Sequence, residues 1–200
     1  MKHDFLYLAS QSPRRRQLLA QIGVSHQLLL PGHDEDAESL EVVLRGESPR
    51  AYVERVTRLK LRAAMQRRVR LGLPPAPVLC ADTTVALGRV ILGKPQSPAD
   101  AKRMLRVLSG REHRVLTAVA VGSGRVIRTA LSVSVVRFDP LSAAWIASYV
   151  SSGEPLGKAG SYAIQGRAAT RVASIRGSYS GIMGLPLRET AQLIEDWVKF

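Results

Sequence analysis

Three times the chain writes the same junction: Ser12-Pro13, Ser48-Pro49 and Ser97-Pro98. In each, serine can cap a helix N-terminus, and proline suits the first helical position, where its missing N–H costs nothing. The first junction follows the apolar run 5-FLYLA-9, which reads as a buried strand, and Gly23 stands just past the end of the helix it opens. Strand, polar turn, helix start, repeated along a chain, confines it to an α/β class with a sheet flanked by helices.

The intervening segments fit that class. A second strand is expected at 26-HQLLL-30, followed by the acidic turn 31-PGHDEDAES-39. The second Ser-Pro opens a helix over 48–64 whose Tyr52, Val56, Leu59 and Ala63 share one face, with Lys60 on the same helix. A rigid turn, 71-LGLPPAP-77, is too short to divide domains, and strands resume at 78-VLCADTTVAL-87 and 90-VIL-92 as a hairpin. The third Ser-Pro opens 97-SPADAKRML-105, with Asp100 placed to return a capping bond. Two long runs, 113-HRVLTAVAVG-122 and 125-RVIRTALSVSVVRF-138, form a second hairpin joined through Ser123 and its flanking glycines. Asp139-Pro140 opens 141-LSAAWIASYV-150, and a last helix is expected over 186–200. Without repeats or low-complexity segments, residues 1–200 read as a single domain of two closely joined lobes with no independent second domain.

Charge narrows the function. The formal charge of +13 calls for an anionic partner, either nucleic acid or a phosphorylated small molecule. Arginines scattered along amphipathic helices, no basic tail, and aromatics at only 5% argue against nucleic acid. No run approaches the roughly 20 apolar residues of a membrane span, and residues 1–4 lead into a strand without a signal peptide's apolar segment. One cysteine, Cys80, fits a reducing compartment, so a cytoplasmic location is expected.

Several chemistries can be tested by spacing. In 88-GRVILGKP-95 a P-loop's glycine and lysine spacing ends on Pro95 instead of the Ser/Thr that holds Mg²⁺, and a proline there opposes the helix a P-loop requires. What remains is a stiff turn aiming the Lys94 ammonium. His3, His26, His33 and His113 show no paired metal spacing, and His113 suits loop hydrogen bonding better than acid–base work. No G-x-S-x-G elbow supports a serine hydrolase.

Asp82 is more telling. An ionised acid inside the apolar run around 81-ADTTV-85 is costly unless paired with a cation, a metal or a reacting group. Asp34, Glu35 and Asp36 could supply oxygen ligands to Mg²⁺, which prefers carboxylates shared with substrate phosphates. The turn at Ser10–Arg16 has the outline of an anion site, with free N–H groups, a helix N-terminus and Arg14, Arg15 and Arg16; Lys60 and Lys94 add to that charge. Lys158, Tyr162 and Gln165 lie in a glycine-bracketed loop, 153-GEPLGKAGSYAIQG-166, and the Gln165 amide suits reading a base edge.

Taken in order, 9-ASQSPRRRQLL-19, 81-ADTTV-85, 93-GKP-95, 108-LSGREHRVLT-117, 153-GEPLGKAGSYAIQG-166 and 184-GLPL-187 closely resemble the Maf family of nucleoside triphosphate pyrophosphatases. The resemblance implies an extended mixed sheet flanked by helices in two lobes, with a central nucleotide cleft, a Maf/ITPase-like fold, commonly as a homodimer. It implies hydrolysis of a nucleoside triphosphate to the monophosphate and pyrophosphate with a divalent metal, Mg, Mn or Co. Asp82 matches the family's general base, Ser10, Arg15, Lys60 and Lys94 its phosphate-site positions, and Glu35 its metal position. Arg14, Thr83 and Gln165 match the pattern of the subgroup that prefers dTTP and UTP. The competing expectations are a relative acting on 7-methyl-GTP or a modified pyrimidine nucleotide, and a non-catalytic nucleic-acid-binding or cell-division regulator. Gln11, Ala163 and 180-SGIMG-184 depart from the common pattern.

Overall fold

A computed structural model describes residues 2–32, 35 and 39–199. Among these, seven strands form a mixed sheet: β1 (Leu6–Leu8), β2 (His26–Leu28), β3 (Val78–Leu87), β4 (Val90–Leu92), β5 (Glu112–Ser123), β6 (Val126–Phe138) and β7 (Val172–Arg176). Their order is β2-β1-β3-β5-β6-β7, with β4 also on β3. β1 runs parallel to both neighbours, and the remaining pairs are antiparallel. The helices are α1 (Pro13–Gln21), α2 (Pro49–Arg70), α3 (Pro98–Leu108), α4 (Ala143–Ser151), α5 (Tyr179–Met183) and α6 (Leu187–Ile194).

All three Ser-Pro junctions start helices. Ser48 Oγ accepts from Ala51 N–H at 3.2 Å and Ser97 Oγ from Asp100 N–H at 3.1 Å. At Ser12 the hydroxyl makes no cap bond; its own N–H donates instead to Ser10 Oγ at 3.2 Å. Asp100 reaches back one residue further than the capping pattern implies, accepting from Gln96 N–H at 3.2 Å, while Arg103 holds its other oxygen at 2.8 Å. Helix α2 runs six residues beyond the expected 64, and α6 stops at Ile194 instead of 200.

Strand periodicity sorts the core. Leu6, Leu8, Leu79, Ala81, Val119 and Val121 face α1 and α6, while Tyr7, Val78, Cys80 and Ala120 face α2. A third cluster packs Val85, Val115, Val136 and Phe138 against α3 and α4. By the same alternation Asp82 lies on the α2 side of β3 and Thr83 on the α1 side. The buried stripe of α2 is Tyr52, Val53, Val56, Thr57, Leu61, Ala64 and Arg67, so Leu59 and Ala63 stand beside it and Lys60 turns toward the sheet. Each fully buried Val or Leu of that stripe contributes about 1.5–3 kcal/mol, enough to fix the helix's rotation and hence the direction of Lys60.

One topological feature opens the cleft. β3 pairs with β5 continuously from Val78 to Ala86. On its other edge it meets β1 only at Val78 and Leu79, and β4 only from Val85 to Leu87. Among the described residues, 80–84 therefore have no strand partner on that edge, and Asp82 sits in the gap. This is also where the chain leaves the carboxyl end of parallel β1, the usual location of a crevice in an open α/β sheet.

Candidate active site

The gap widens into a cavity of about 1120 Å³, lined from one side by Ser10–Arg15 and α2, and from the other by Gly93, Lys94 and the 156–165 loop. Sites of 300–1,000 Å³ already take drug-sized ligands, so a nucleoside triphosphate fits. All nine residues matched through the family resemblance line it: Ser10, Arg14, Arg15, Glu35, Lys60, Asp82, Thr83, Lys94 and Gln165, together with Lys158 and Tyr162. Arg16 is exposed on α1 and is not among the lining residues, and Asp34 and Asp36 lie outside the described residues.

Asp82 and Lys60 form the centre. Asp82 is 9% exposed, and its Oδ1 accepts from Lys60 Nζ at 2.6 Å. Its pairing is thus with a lysine on the inward stripe of α2. Lys60 also donates to Glu41 Oε1 at 2.7 Å, and Lys94 donates to the same carboxylate at 3.0 and 3.1 Å. Burial alone would lower the Lys60 ammonium, but Asp82 and Glu41 outweigh it and hold its pKa above the ordinary value.

Arg15 joins three parts of the cleft wall. Its Nε donates to the Gly184 carbonyl at 2.7 Å, Nη1 to Ser10 Oγ at 3.1 Å and Nη2 to Thr83 Oγ1 at 3.3 Å. Gly184 ends α5 at φ +116°, a left-handed conformation that glycine adopts without strain, and so aims its carbonyl at Arg15. Thr83 Oγ1 is also 3.0 Å from Thr117 Oγ1, which donates to Gly181 O at 2.7 Å. Thr83 therefore acts through a hydrogen-bonded chain that fixes Arg15 against β3. By contrast, the Arg14 and Gln165 side chains line the cavity without a hydrogen bond among the described residues. Lys158 faces Arg14, and burial together with that like charge lowers its pKa.

Glu35 is heavily engaged. Arg67, 6% exposed on α2, donates to both its oxygens at 2.8 and 2.5 Å, and Arg70 adds a bond at 2.5 Å. The Arg67 bonds lead in pulling its pKa to about 2. Among the described residues no three His, Cys, Asp or Glu side chains come together as metal ligands. Among the described carboxylates, Glu35 is held by arginines and Glu41 by lysines.

His113 is buried behind the cleft wall, its Nε2 2.8 Å from the Tyr162 hydroxyl. Burial lowers its pKa to about 4, so the ring is neutral near pH 7 and serves to hold the 156–165 loop. Cys80 is buried, and desolvation raises its thiol to about 12. That leaves it no thiolate chemistry. Glu41 escaped the reading of the sequence because it follows the acidic turn without belonging to a motif. The polar residues Lys60 and Arg67, spaced at helical intervals with Val53, Val56 and Ala64, were the signal for what faces the cleft.

A cation-lined cleft at the gap beside β3 in a mixed sheet, with one carboxylate held by a lysine, defines an anion-binding α/β protein suited to polyphosphate chemistry. The family model described as "Maf-like protein" matches residues 5–197, and the chain belongs to that family. It is 67% identical over 191 residues to a dTTP/UTP pyrophosphatase from a Polaromonas species, covering 96% of this chain and 95% of the relative. Proteins of the same description from Albidiferax ferrireducens and Cupriavidus pinatubonensis are 63% and 62% identical, the first over 97% of both chains and the second over 96% of both. The solved structure of the Staphylococcus aureus Ham1 protein aligns with 68% of this chain and 72% of its own at 12% identity and TM-score 0.43.

Proposed function

We propose that the protein hydrolyses dTTP and UTP to the nucleoside monophosphate and pyrophosphate, with Asp82 activating the water that attacks the α-phosphorus. The observation that carries this is the state of Asp82: Lys60 occupies Oδ1 at 2.6 Å, while no hydrogen bond among the described residues engages Oδ2, in a cavity of about 1120 Å³. An acid so placed can take a proton from water while the lysine fixes its orientation. The new P–O bond forms to the water oxygen, and the bond between the α-phosphorus and the bridging oxygen breaks. Pyrophosphate leaves with the electron pair, and the proton passes from Asp82 to solvent.

The cations have separable tasks in this reading. Arg15, pinned by Ser10, Thr83 and Gly184, presents its guanidinium edge to phosphate without having to reorganise, and Lys60 and Lys94 offset the remaining phosphate charge. Arg14 and Gln165, unengaged at the mouth, are suited to the base. Thymine and uracil present carbonyl oxygens to the Arg14 donors and a ring N–H and carbonyl to the Gln165 amide. The divalent ion implied by the resemblance belongs to the same proposal as a counter-ion carried by the triphosphate. A homodimer in the cytoplasm completes it, consistent with the unpaired Cys80 thiol.

The test is turnover of dTTP, UTP, CTP and 7-methyl-GTP by the purified chain in Mg²⁺ or Mn²⁺, with products resolved by chromatography. The expected result is monophosphate plus pyrophosphate from dTTP and UTP, abolished in Asp82→Asn with the fold intact. Undiminished turnover in Asp82→Asn would remove the assigned base.

A further inference from the structure

Glu41 has no task in the mechanism above, yet it touches two of its cations. Its Oε1 accepts from Lys60 at 2.7 Å and from Lys94 at 3.1 Å, and its Oε2 from Lys94 at 3.0 Å. A carboxylate lodged between two ammonium groups takes the place that a phosphate oxygen takes when it bridges two lysines. With Asp82 and Glu41 both on Lys60, that ammonium has one donor left, so a bound triphosphate competes with Glu41 for the two lysines.

We propose that Glu41 is a built-in surrogate for substrate phosphate, which keeps Lys60 and Lys94 together in the empty cleft, yields them to the incoming triphosphate, and returns as pyrophosphate leaves. This rests on the pyrophosphatase reading of the same site. Without an intervening anion, the largely buried Lys60 ammonium and the half-exposed Lys94 ammonium converging on one point would repel and splay. The side chain alone need move for the exchange. The Glu41 carbonyl is held by the Tyr52 hydroxyl at 3.0 Å, and the next carbonyl, Val42, by Arg55 at 2.8 Å. Arg55 is itself clamped to Glu47 at 2.7 and 2.8 Å, so the backbone around the carboxylate is tied to α2. The Glu41 side chain is 25% exposed, which leaves it room to rotate. Burial would raise its carboxyl, but Lys60 and Lys94 outweigh burial and hold it below the ordinary value, so the surrogate is an anion at neutral pH.

A competing internal anion weakens ligand affinity and speeds product release. Glu41→Gln keeps the shape and removes the charge. It should bind metal-free inorganic pyrophosphate about tenfold more tightly by calorimetry, the scale of one charge-assisted hydrogen bond returned to the ligand. KM for dTTP should fall in parallel, with kcat equal to or below that of the unaltered protein because product leaves more slowly. Glu41→Asp, charged but too short to span both lysines, should fall between the two and serves if Glu41→Gln does not fold. Pyrophosphate affinity unchanged or weakened in a folded Glu41→Gln overturns the surrogate role. Should the unaltered protein prove inert to dTTP and UTP while Glu41→Gln still gains pyrophosphate affinity, the surrogate role stands and the substrate assignment falls. Turnover by the unaltered protein with no gain in Glu41→Gln gives the reverse.

Discussion

Replacing Lys60 with methionine leaves two carboxylates without the cation they share. Asp82 and Glu41 lie 2.6 and 2.7 Å from the same ammonium, with side chains 13% and 25% exposed. Removing one member of a fully buried pair costs about 3–5 kcal/mol; the partial exposure here and the remaining Lys94 contact reduce that to about 2–3 kcal/mol. In a chain of this size 1 kcal/mol moves Tm by about 2–4 °C, so the fall at pH 7 should be roughly 5–10 °C. Its pH dependence distinguishes electrostatics from packing. In the folded protein the Glu41 carboxyl sits below its unfolded value of 4.5, so its contribution is present above 4.5 and lost as pH falls through the lowered folded value. The Lys60 ammonium sits above its unfolded value of 10.5, so its contribution is full below 10.5 and lost as pH rises through the raised folded value. Thermal unfolding of both proteins across pH should therefore show a deficit that is broad around neutrality and narrows at the acid and alkaline ends. A deficit independent of pH, or none, would mean that Lys60 contributes only its aliphatic stem.

Gln165→Glu should shift the dTTP and UTP preference, read as the ratio of kcat/KM across nucleotides, while leaving the dependence on metal concentration unchanged; an unchanged ratio removes Gln165 from base reading. Gly160→Ala should destabilise by about 2–4 kcal/mol, combining a left-handed backbone with overpacking. Gly160 has φ +68°, and a Cβ there would lie 2.8 Å from Val85 Cγ1. Adding Val85→Ala should recover only the steric share in denaturant unfolding, and full recovery would show that the backbone carries no strain.

Much of this was legible from local chemistry. The Ser-Pro junctions marked three helix starts, strand-like runs broken by short turns marked both hairpins, and an acid inside an apolar strand marked Asp82. The subtler failures have a common cause in tertiary contact. The sequence 172-VASIR-176 is too short and too exposed to announce β7, which exists because Val135, Val136 and Arg137 of β6 supply its partners. Helix α5 is five residues held by Ser178 Oγ accepting from Gly181 N–H and by Ser134 against the same turn, contacts from 44 residues away. On α2 Tyr52 and Val56 lie on the buried stripe as expected, whereas Leu59 and Ala63 are half-buried beside it, because only the sheet decides which apolar positions are covered. Glu41 was invisible for the same reason, its partners lying 19 and 53 residues along the chain.

Where the water oxygen goes is what decides the mechanism. Turnover of dTTP in ¹⁸O-labelled water, with both products examined by mass spectrometry, should place the label in thymidine monophosphate and leave pyrophosphate unlabelled. Label in pyrophosphate, or release of orthophosphate, would put the attack at another phosphorus and remove Asp82 from the position assigned to it.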